Sequence, residues 1–336
     1  MNLISGNEFL AQKMVAGKVL VDPIIPDPAR IMLAGFAGVG KSTLAMNMAA
    51  AISAGLPFLG WETQKKTVIY VDGENPLHLV QQKTAVIFNS VGGDINNIHF
   101  LFPEEKLNLC NTNAMSALER SIMAHEAGLV VLDSFLNFFT LKNENDATET
   151  RAALDGITLL LRRTGCSVLI LDHTAKPLRV SYGHGISGPP TPRGSGTKVD
   201  FADVVLVIEE KNRNGGSVKT LHFTKLRGVA PMSPILLEMD GQYMFRALGE
   251  DARVPVELVR EVVKNNPGIQ TGQAVQYLEE RTNAGKRTIY LALDRAEERG
   301  LIFREKKGRN VFLHVVPDIH INGVPLLTAF QQRGVK

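Results

Sequence analysis

A glycine-rich stretch between an apolar run and a predicted helix constrains the fold of this chain more than any other feature. The residues GFAGVGKS match the pattern G-x-x-x-x-G-K-[ST]; they follow the strand-like run IMLA and open an alanine-rich helix predicted over 41–54. In such a loop, backbone N–H groups and the positive end of the helix dipole bind phosphate. The sequence therefore predicts a site for the phosphates of ATP, formed by Gly35, Phe36, Ala37, Gly38, Val39, Gly40, Lys41, Ser42 and Thr43.

The segments around this loop predict an α/β domain. Between residues 30 and 210, apolar runs such as TVIYVD, LVVLD, SVLILD and VVLVIE alternate with helix-like stretches. Runs that are apolar throughout are typical of parallel strands covered on both faces. The later segments VKTLHFTKL and PILLEMD alternate more, which favours an antiparallel extension at one edge. The predicted fold is a mostly parallel sheet with helices on both faces.

After residue 249 the pattern changes. Three helix-like segments, VPVELVREVVKNNP, TGQAVQYLEERT and GKRTIYLALDRAEERG, precede the hairpin-like segment LIFREKKGRNVFLHVV. This order predicts a small winged helix-turn-helix domain. The chain is then divided into an N-terminal segment (1–28), the α/β domain (29–249), the winged helix (250–318) and a C-terminal tail (319–336).

Charge and composition indicate the environment and the partners. The longest apolar runs are strand-length and the polar N-terminus does not resemble a secretion signal, which favours the cytoplasm and excludes a membrane protein. Two cysteines without metal-like spacing fit a reducing compartment. Residues 252–316 hold 12 Lys and Arg against 8 Asp and Glu, which gives the predicted winged helix a net charge of +4. That charge is typical of a polyanion-binding domain and equally of an ordinary soluble surface.

Acidic residues at strand ends predict the remainder of the phosphate site. Asp133 ends the run LVVLD and, with the Ser42 hydroxyl, is predicted to hold Mg²⁺. Asp72 ends TVIYVD two residues before Glu74, and ligands of open α/β sheets bind beyond the carboxyl ends of strands. Glu74 is the predicted general base for the attacking water, and Asp72 is the alternative. Lys41 is predicted to neutralise the β- and γ-phosphate oxygens.

A strand-end histidine and two polar segments extend this edge. His173 ends SVLILDH and is predicted to sense the γ-phosphate. The segment 176–198 holds five glycines and four prolines, which disfavours helix and strand and predicts a functional loop. Residues 140–150, TLKNENDATET, are predicted to form a second polar loop.

These motifs, in this order, resemble the RecA-like hexameric helicases and ATPases. GFAGVGKS, VIYVDGEN, LVVLDS, VLILDHTAK, RGSGTKVDFADVVLVIE and TKLRG are together similar to the DnaB-type core, and most similar to the plasmid RepA helicases, over about residues 20–245. The resemblance implies a hexameric ring that hydrolyses ATP with Mg²⁺ around single-stranded DNA. It implies that Glu74 activates water and that His173 couples the nucleotide to DNA-binding loops at 140–150 and 176–196. Relative to these families, we expect no N-terminal collar, since only about 28 residues precede the first predicted strand, and we expect an added winged helix.

Two sets of cations compete for a role in the site of a neighbouring subunit. Lys225-Leu-Arg227 matches the K-x-R pattern that DnaB-like proteins offer to the neighbour's γ-phosphate. Arg193 lies where RepA-like proteins place an arginine for the same role. The alternative for Lys225 and Arg227 is pairing with surface acids such as Glu209 or Glu210, which contributes little to stability.

Basic and aromatic residues are the predicted DNA contacts. Loop residues are expected to bind or stack on single strands, whereas the winged helix is expected to bind duplex DNA with its third helix, 286–299. The contrary interpretation is that Glu297, Glu298 and Glu305 make this face a protein-docking surface. The predicted contacts are Lys176, Arg179 and Tyr182 in the long loop, Lys286, Arg287 and Tyr290 in the third helix, and Lys306, Lys307 and Arg309 in the wing.

Three functions follow from these features. The leading hypothesis is an ATP-driven ring translocase or helicase that serves replication of a plasmid, phage or integrated element. A RadA-like recombination or repair ATPase would form filaments or rings without unwinding DNA. An ATP-gated DNA-binding regulator would hydrolyse slowly and act through the winged helix.

Overall fold

Strands and helices alternate along most of the chain, as the sequence pattern predicts. The structure is a computed structural model, and it describes residues 4–11, 18–103, 107–174, 191–192, 196–213, 216–249, 253–316, 320–321 and 324–325. The helices are α1 (Gly6–Ala11), α2 (Lys41–Ala54), α3 (Leu77–Val91), α4 (Thr112–Ala124), α5 (Phe135–Phe138), α6 (Ala147–Thr164), α7 (Thr197–Phe201), α8 (Val256–Asn265), α9 (Thr271–Thr282) and α10 (Lys286–Glu298). Within these described ranges, no helix is long and apolar enough to cross a bilayer.

The strands belong to one large sheet and three small ones. They are β1 (Val19–Val21), β2 (Ile25–Pro26), β3 (Arg30–Gly35), β4 (Thr67–Asp72), β5 (Ile98–Leu101), β6 (Ala127–Asp133), β7 (Ser167–His173), β8 (Val204–Arg213), β9 (Gly216–Leu226), β10 (Ile235–Met239), β11 (Phe245–Ala247), β12 (Ile269–Gln270), β13 (Ile302–Lys307), β14 (Asn310–Val315), β15 (His320–Ile321) and β16 (Val324–Pro325). The large sheet has nine strands in the order β11-β10-β9-β8-β3-β7-β6-β4-β5.

The large sheet is parallel except at one edge. The six strands from β8 to β5 in this order run parallel. The strands β9, β10 and β11 extend it antiparallel. The prediction of a mostly parallel sheet with an antiparallel edge is confirmed. The strands β3, β4, β6 and β7 all end at the same edge, because they are parallel neighbours.

Both faces of this sheet are covered. Side chains alternate between the faces of a strand. Ile31 and Leu33 of β3 therefore pack with α2 on one face, while Met32 and Ala34 pack with α6 on the other. Because neither face of the central strands meets water, β3, β4, β6 and β7 are buried along almost their whole length, which fits the continuous apolar runs in the sequence.

The structure corrects the sequence analysis in several places, and α7 is one of them, because it begins at Thr197 within the segment 176–198 that was predicted to be a loop. The edge strand β5 and the helix α4 were not foreseen. Neither segment contains a continuous apolar run of the kind that marks the central strands. The polar loop predicted over 140–150 is shorter than expected, since α6 begins at Ala147. The Asp146 side chain accepts the N–H groups of Thr148 and Glu149, which caps the helix there.

The C-terminal unit has its own core. Apolar residues of α8, α9 and α10, among them Val259, Leu278 and Leu293, pack together under a three-stranded antiparallel sheet in the order β12-β14-β13. The hairpin turns at Gly308, whose φ of 63° suits glycine. Three helices and a hairpin therefore lie where the sequence places them, with β12 as an unforeseen third strand. Assignment of this unit as a winged helix stays a prediction.

Candidate nucleotide site

The phosphate-binding loop joins the end of β3 to the start of α2. Its glycines are structurally required, because Gly38 and Gly40 have φ angles of 77° and 107°, in the region that disfavours other residues. A side chain at Gly35 would place its Cβ 2.6 Å from the Ile208 carbonyl oxygen on β8. The loop can therefore keep its backbone N–H groups at the N-terminus of α2, where the helix dipole favours a bound phosphate.

Lys41, the first residue of α2, folds back over this loop. Its Nζ donates to the carbonyl oxygens of Gly35 and Phe36, both at 3.0 Å. Burial lowers the pKa of Lys41, and the charges of Glu74, Asp133 and Asp172 oppose that shift. The three carboxylates therefore stabilise the charged form of the Lys41 ammonium. Lys41 and these acids belong to one charged site at the sheet edge.

Ser42 and Asp133, the pair that the sequence predicts to hold Mg²⁺, are in contact with each other. The Ser42 side chain hydrogen-bonds the Asp133 carboxyl group, and the Tyr70 hydroxyl donates to Asp133 Oδ2 at 3.0 Å. Burial raises the pKa of Asp133 to about 7. Mg²⁺ is usually held by one or two side-chain oxygens together with phosphates and water, so this hydroxyl and carboxylate fit it. Among the described residues, no cluster of three or more His, Cys, Asp or Glu forms a dedicated metal cage.

The two candidate bases, Asp72 and Glu74, differ in burial and in the hydrogen bonds of their carboxylates. Asp72 is buried at the end of β4, and its Oδ1 accepts the N–H groups of Glu74 at 2.9 Å and Asn75 at 2.8 Å. The Asn75 amide also donates to Asp72 Oδ2, at 3.1 Å. Asp72 is thus engaged in its own turn, whereas Glu74 is exposed. The geometry favours Glu74 as the base, and its role stays a prediction.

His173 is brought to the phosphate loop by strand pairing. Gly35 and His173 are register partners in the parallel pair β3 and β7. The His173 Nδ1 atom lies 3.4 Å from Lys41 Nζ, and the N–H of Thr174 donates to Gly35 O at 3.3 Å. The residue predicted to sense the nucleotide therefore lies next to the lysine that is predicted to neutralise its phosphates.

Sequence reasoning missed the buried groups behind these residues. Asp172 pairs with Lys198 at 2.7 Å, and both side chains lie below the surface. The signal was a lysine and an aspartate inside otherwise apolar segments, KVDFADVVLVIE and SVLILDH, where an unpaired charge is costly. Tyr70 was also missed, since a tyrosine in an apolar strand does not reveal its hydroxyl partner.

Lys225 and Arg227 lie at the opposite end of the sheet. Arg227 NH1 pairs with Asp203 Oδ1 at 2.9 Å, just before β8 begins. The sequence suggested Glu209 or Glu210 as ion-pair partners of Lys225 and Arg227, but the acid that pairs with Arg227 is Asp203. Glu209 and Glu210 lie farther along β8, opposite Thr220 and Lys219. Those two acids pair with His222 and Lys219.

The predicted DNA contacts are only partly placed. Lys176, Arg179, Tyr182 and Arg193 lie outside the described residues. Lys286 and Arg287 are exposed at the start of α10 with Tyr290 half-buried behind them, and Arg287 pairs with Glu238 of β10. Lys306, Lys307 and Arg309 are exposed around the hairpin turn, where Lys307 meets Glu305 at 3.0 Å. The basic residues of the third helix and wing are thus accessible, and their binding of DNA stays a prediction.

Comparisons with known proteins identify the family and the fold. The family model described as the AAA domain matches residues 9–178, just over half of the chain. The chain matches no curated protein. It is similar in structure to a KaiC-like protein from the hyperthermophilic archaeon Pyrococcus horikoshii OT3, with a TM-score of 0.50 and 16% identity over 71% of this chain and 99% of that one. With its phosphate loop, the chain is a RecA-like P-loop ATPase and belongs to the AAA domain family.

Proposed function

We propose that this ATPase is a DNA translocase or helicase that works as a ring on single-stranded DNA, in replication of a plasmid, phage or integrated element. The observation that carries the proposal is that two sets of charged groups lie at opposite ends of β3. The phosphate loop lies at the carboxyl end of β3, and Asp203 with Arg227 lies at its amino end. If both sets act on one nucleotide, Arg227 must come from a second copy of the chain.

The separation can be measured along β3. Asp203 binds both the backbone N–H and the guanidinium of Arg30, the first residue of β3, whereas Gly35 is the last. The five steps between them span about 16 Å at the usual strand rise. Lys225 and Arg227 are therefore directed away from the chain's own phosphates. In a head-to-tail arrangement they face a neighbour, and such an interface closes into a ring when its rotation allows.

Within one subunit the residues of the site divide the chemistry of hydrolysis. Lys41 neutralises charge on the phosphates, and Glu74 orients and deprotonates the attacking water. Mg²⁺ held by Ser42 and Asp133 would supply further charge neutralisation on the phosphate oxygens. The cation that stabilises the transition state comes from the neighbour, because Arg227 of the same subunit pairs with Asp203 at the opposite end of β3 from the phosphate loop.

DNA binding is supported by charge and by connectivity. The long glycine- and proline-rich segment follows His173 and Thr174 closely in the sequence, so a strand of DNA bound by it can act on this strand end. The C-terminal unit carries exposed Lys286, Lys306 and Arg309. Phosphate contacts by Lys and Arg provide most of the affinity of proteins for DNA.

An ATP-gated regulator is the second candidate, favoured by one set of contacts. Arg287 of α10 pairs with Glu238, and Arg295 of α10 donates to the carbonyl oxygens of Leu248 and Gly249. The helix predicted to read duplex DNA thus touches the ATPase domain, so the nucleotide state has a route to it. In this candidate the winged helix, rather than a moving ring, produces the effect.

One experiment separates the candidates. Purified protein with a slowly hydrolysed ATP analogue is imaged by negative stain with and without single-stranded DNA, and strand displacement is measured with ATP. Closed rings with strand displacement support the proposal. Filaments without displacement favour a RadA-like recombination ATPase, and single subunits that bind only duplex DNA favour the regulator.

A further inference from the structure

A buried ion pair lies directly behind His173. Lys198 Nζ donates to Asp172 Oδ2 at 2.7 Å, and the two side chains are 0% and 2% exposed. The same ammonium lies 4.1 Å from the centre of the Phe135 ring. Because an unpaired charge at this depth is strongly destabilising, the pair fixes the place at which α7 meets the end of β7.

The carboxylate of this pair also holds the His173 main chain. Asp172 Oδ1 accepts the His173 N–H at 2.9 Å, while Oδ2 holds Lys198. Burial raises the pKa of Asp172 and the charge of Lys198 opposes that rise, so Lys198 favours the ionised form that accepts both bonds. Lys198 therefore acts on the strand end that places His173 beside Lys41.

The helix α7, which contains Lys198, also contacts the opposite end of the sheet. The two carbonyls after Lys198, those of Val199 and Asp200, accept from Lys225 Nζ at 2.8 and 3.1 Å. Three consecutive residues of α7 thus contact both functional ends of the subunit. One end is the chain's own nucleotide site, and the other is the residue offered to a neighbour.

We propose that Lys198 is a positioning residue, which makes α7 the link between His173 in one nucleotide site and Lys225 in the next. The part that concerns Lys225 rests on the proposed action of Lys225 in a neighbouring subunit, whereas the part that concerns His173 does not. A shift of His173 upon contact with nucleotide is carried through Asp172 and Lys198 into α7. Coupling of this kind requires packed groups in continuous contact, which these residues provide.

The first experiment removes the pair without leaving a buried charge. The double variant Asp172→Asn with Lys198→Met keeps an oxygen that can accept the His173 N–H but loses the link to α7. We expect kcat to fall about tenfold to a hundredfold, as for other residues that orient a site, with little change in KM or nucleotide affinity. A well-folded double variant with unchanged kcat overturns the proposal.

A matched control lies at the other end of the sheet. Lys66 and Asp27 form an ion pair at 2.9 Å, and the carboxylate of Asp27 is largely buried. Asp27 precedes β3 and Lys66 precedes β4 in the sequence. Asp27→Asn with Lys66→Met removes a comparable pair and is expected to leave kcat unchanged. An equal fall in kcat in this control shows a general loss of stability and overturns the proposal. If the Asp172 and Lys198 variant does not fold, Phe135→Leu leaves the ion pair intact and removes the ring face beneath Lys198, together with the stacking of that ring on Phe139. The expected fall in kcat is then about twofold to tenfold, and an unchanged kcat overturns the proposal.

The second experiment tests the route. If Lys198 acts through His173, the double variant lowers kcat no further in a His173→Ala background, and the same holds for Lys225→Ala. If the double variant lowers kcat by the same factor in the His173→Ala and Lys225→Ala backgrounds as in the wild type, the proposed link through α7 is overturned. If Lys225→Ala alone leaves kcat unchanged, the proposed neighbour role of Lys225 fails, and the result in the His173→Ala background still decides the positioning of His173.

Discussion

The Nδ1 atom of His173 lies 3.4 Å from the Nζ of Lys41, although 132 residues separate them in the sequence. The parallel pairing of β3 and β7 produces this contact, since it sets Gly35 opposite His173. The start of α2 supplies Lys41 from the other side. As a result, the residue predicted to bind phosphate and the strand end that precedes the predicted long loop belong to one small cluster.

The first prediction separates nucleotide binding from hydrolysis. Lys41→Ala is expected to abolish nucleotide binding, because it removes the cation that lies over the phosphate loop. Glu74→Gln is expected to bind ATP normally and to lose about 10² to 10⁴ in turnover, the usual contribution of a general base. Equilibrium binding of a fluorescent ATP analogue and steady-state phosphate release measure the two effects.

A matched control uses a second exposed glutamate. Glu62 lies ahead of β4, away from the carboxyl edge of the sheet, and Glu62→Gln should leave turnover unchanged. Normal turnover in Glu74→Gln would assign the base to Asp72 or another acid. Asp72→Asn would then be expected to lose turnover, although it also disturbs the turn that Asp72 holds.

The second prediction concerns pH and Asp133. Burial raises the pKa of Asp133 from 3.8 to about 7, so the folded chain binds a proton that the unfolded chain releases. Without Mg²⁺, this carboxyl group stabilises the folded state at low pH, and the contribution declines as the pH rises from 3.8 through about 7. Each pKa unit corresponds to about 1.4 kcal/mol.

Thermal unfolding in the presence of a chelator measures this effect. Wild-type Tm should fall more steeply toward neutral pH than that of Asp133→Asn, which has no proton to lose. Mg²⁺ with nucleotide should raise Tm most above pH 7, because only the ionised carboxylate binds the metal. Parallel pH profiles for the two proteins would contradict the assignment of Asp133.

Much of the fold and part of the site could be predicted from the sequence. The strands with continuous apolar runs and the helix at Lys41–Ala54 carry strong local signals, and so does the phosphate loop. The pairing of Lys198 with Asp172 could not be predicted, because it joins residues 26 apart across a segment without a regular pattern. The partner of Arg227 was misassigned for a similar reason, since the register of β8 with β9 decides which acid lies nearby.

The third prediction concerns the long loop. Replacing Lys176 and Arg179 with Ala should leave basal ATP hydrolysis unchanged and reduce its stimulation by single-stranded DNA. The predicted loop starts at Lys176, close after Thr174 in the sequence, so DNA bound there can act on the strand end at His173. ATPase rates with increasing single-stranded DNA at two salt concentrations measure the effect, because phosphate contacts weaken as salt rises. Full stimulation in the double variant removes this loop from the pathway.

The fourth prediction concerns the C-terminal unit. A fragment of residues 250–318 should bind duplex DNA with an affinity that falls steeply with salt. Lys306→Ala should weaken binding, because this exposed residue lies in the predicted wing. Lys264→Ala removes an equal charge from α8, outside the predicted contacts, and should have little effect. Salt-independent or undetectable binding would favour a protein-docking role for Glu297, Glu298 and Glu305.

The last prediction is that hydrolysis requires two subunits. Arg227 is 57% exposed and shares Asp203 with Arg30, whose guanidinium holds the same carboxylate at 2.9 and 2.8 Å. Arg227 can therefore leave this pair at small cost, because Asp203 keeps its other partner and exposed pairs contribute only about 0 to 1 kcal/mol. An arginine that stabilises the transition state contributes far more, about 10³ to 10⁵ in rate.

Mixing two inactive variants distinguishes these roles. Arg227→Ala should bind ATP normally and hydrolyse it poorly, whereas Arg163→Ala, which removes an exposed arginine paired with Glu119, should be fully active. Arg227→Ala mixed with Glu74→Gln should recover part of the activity, because some interfaces then combine an intact site from one subunit with an intact arginine from the other. Two variants defective within the same half of the interface, such as Lys41→Ala and Glu74→Gln, should recover none. Absence of recovery in the first mixture, together with a severe defect in Arg193→Ala, would assign the transition-state arginine to position 193.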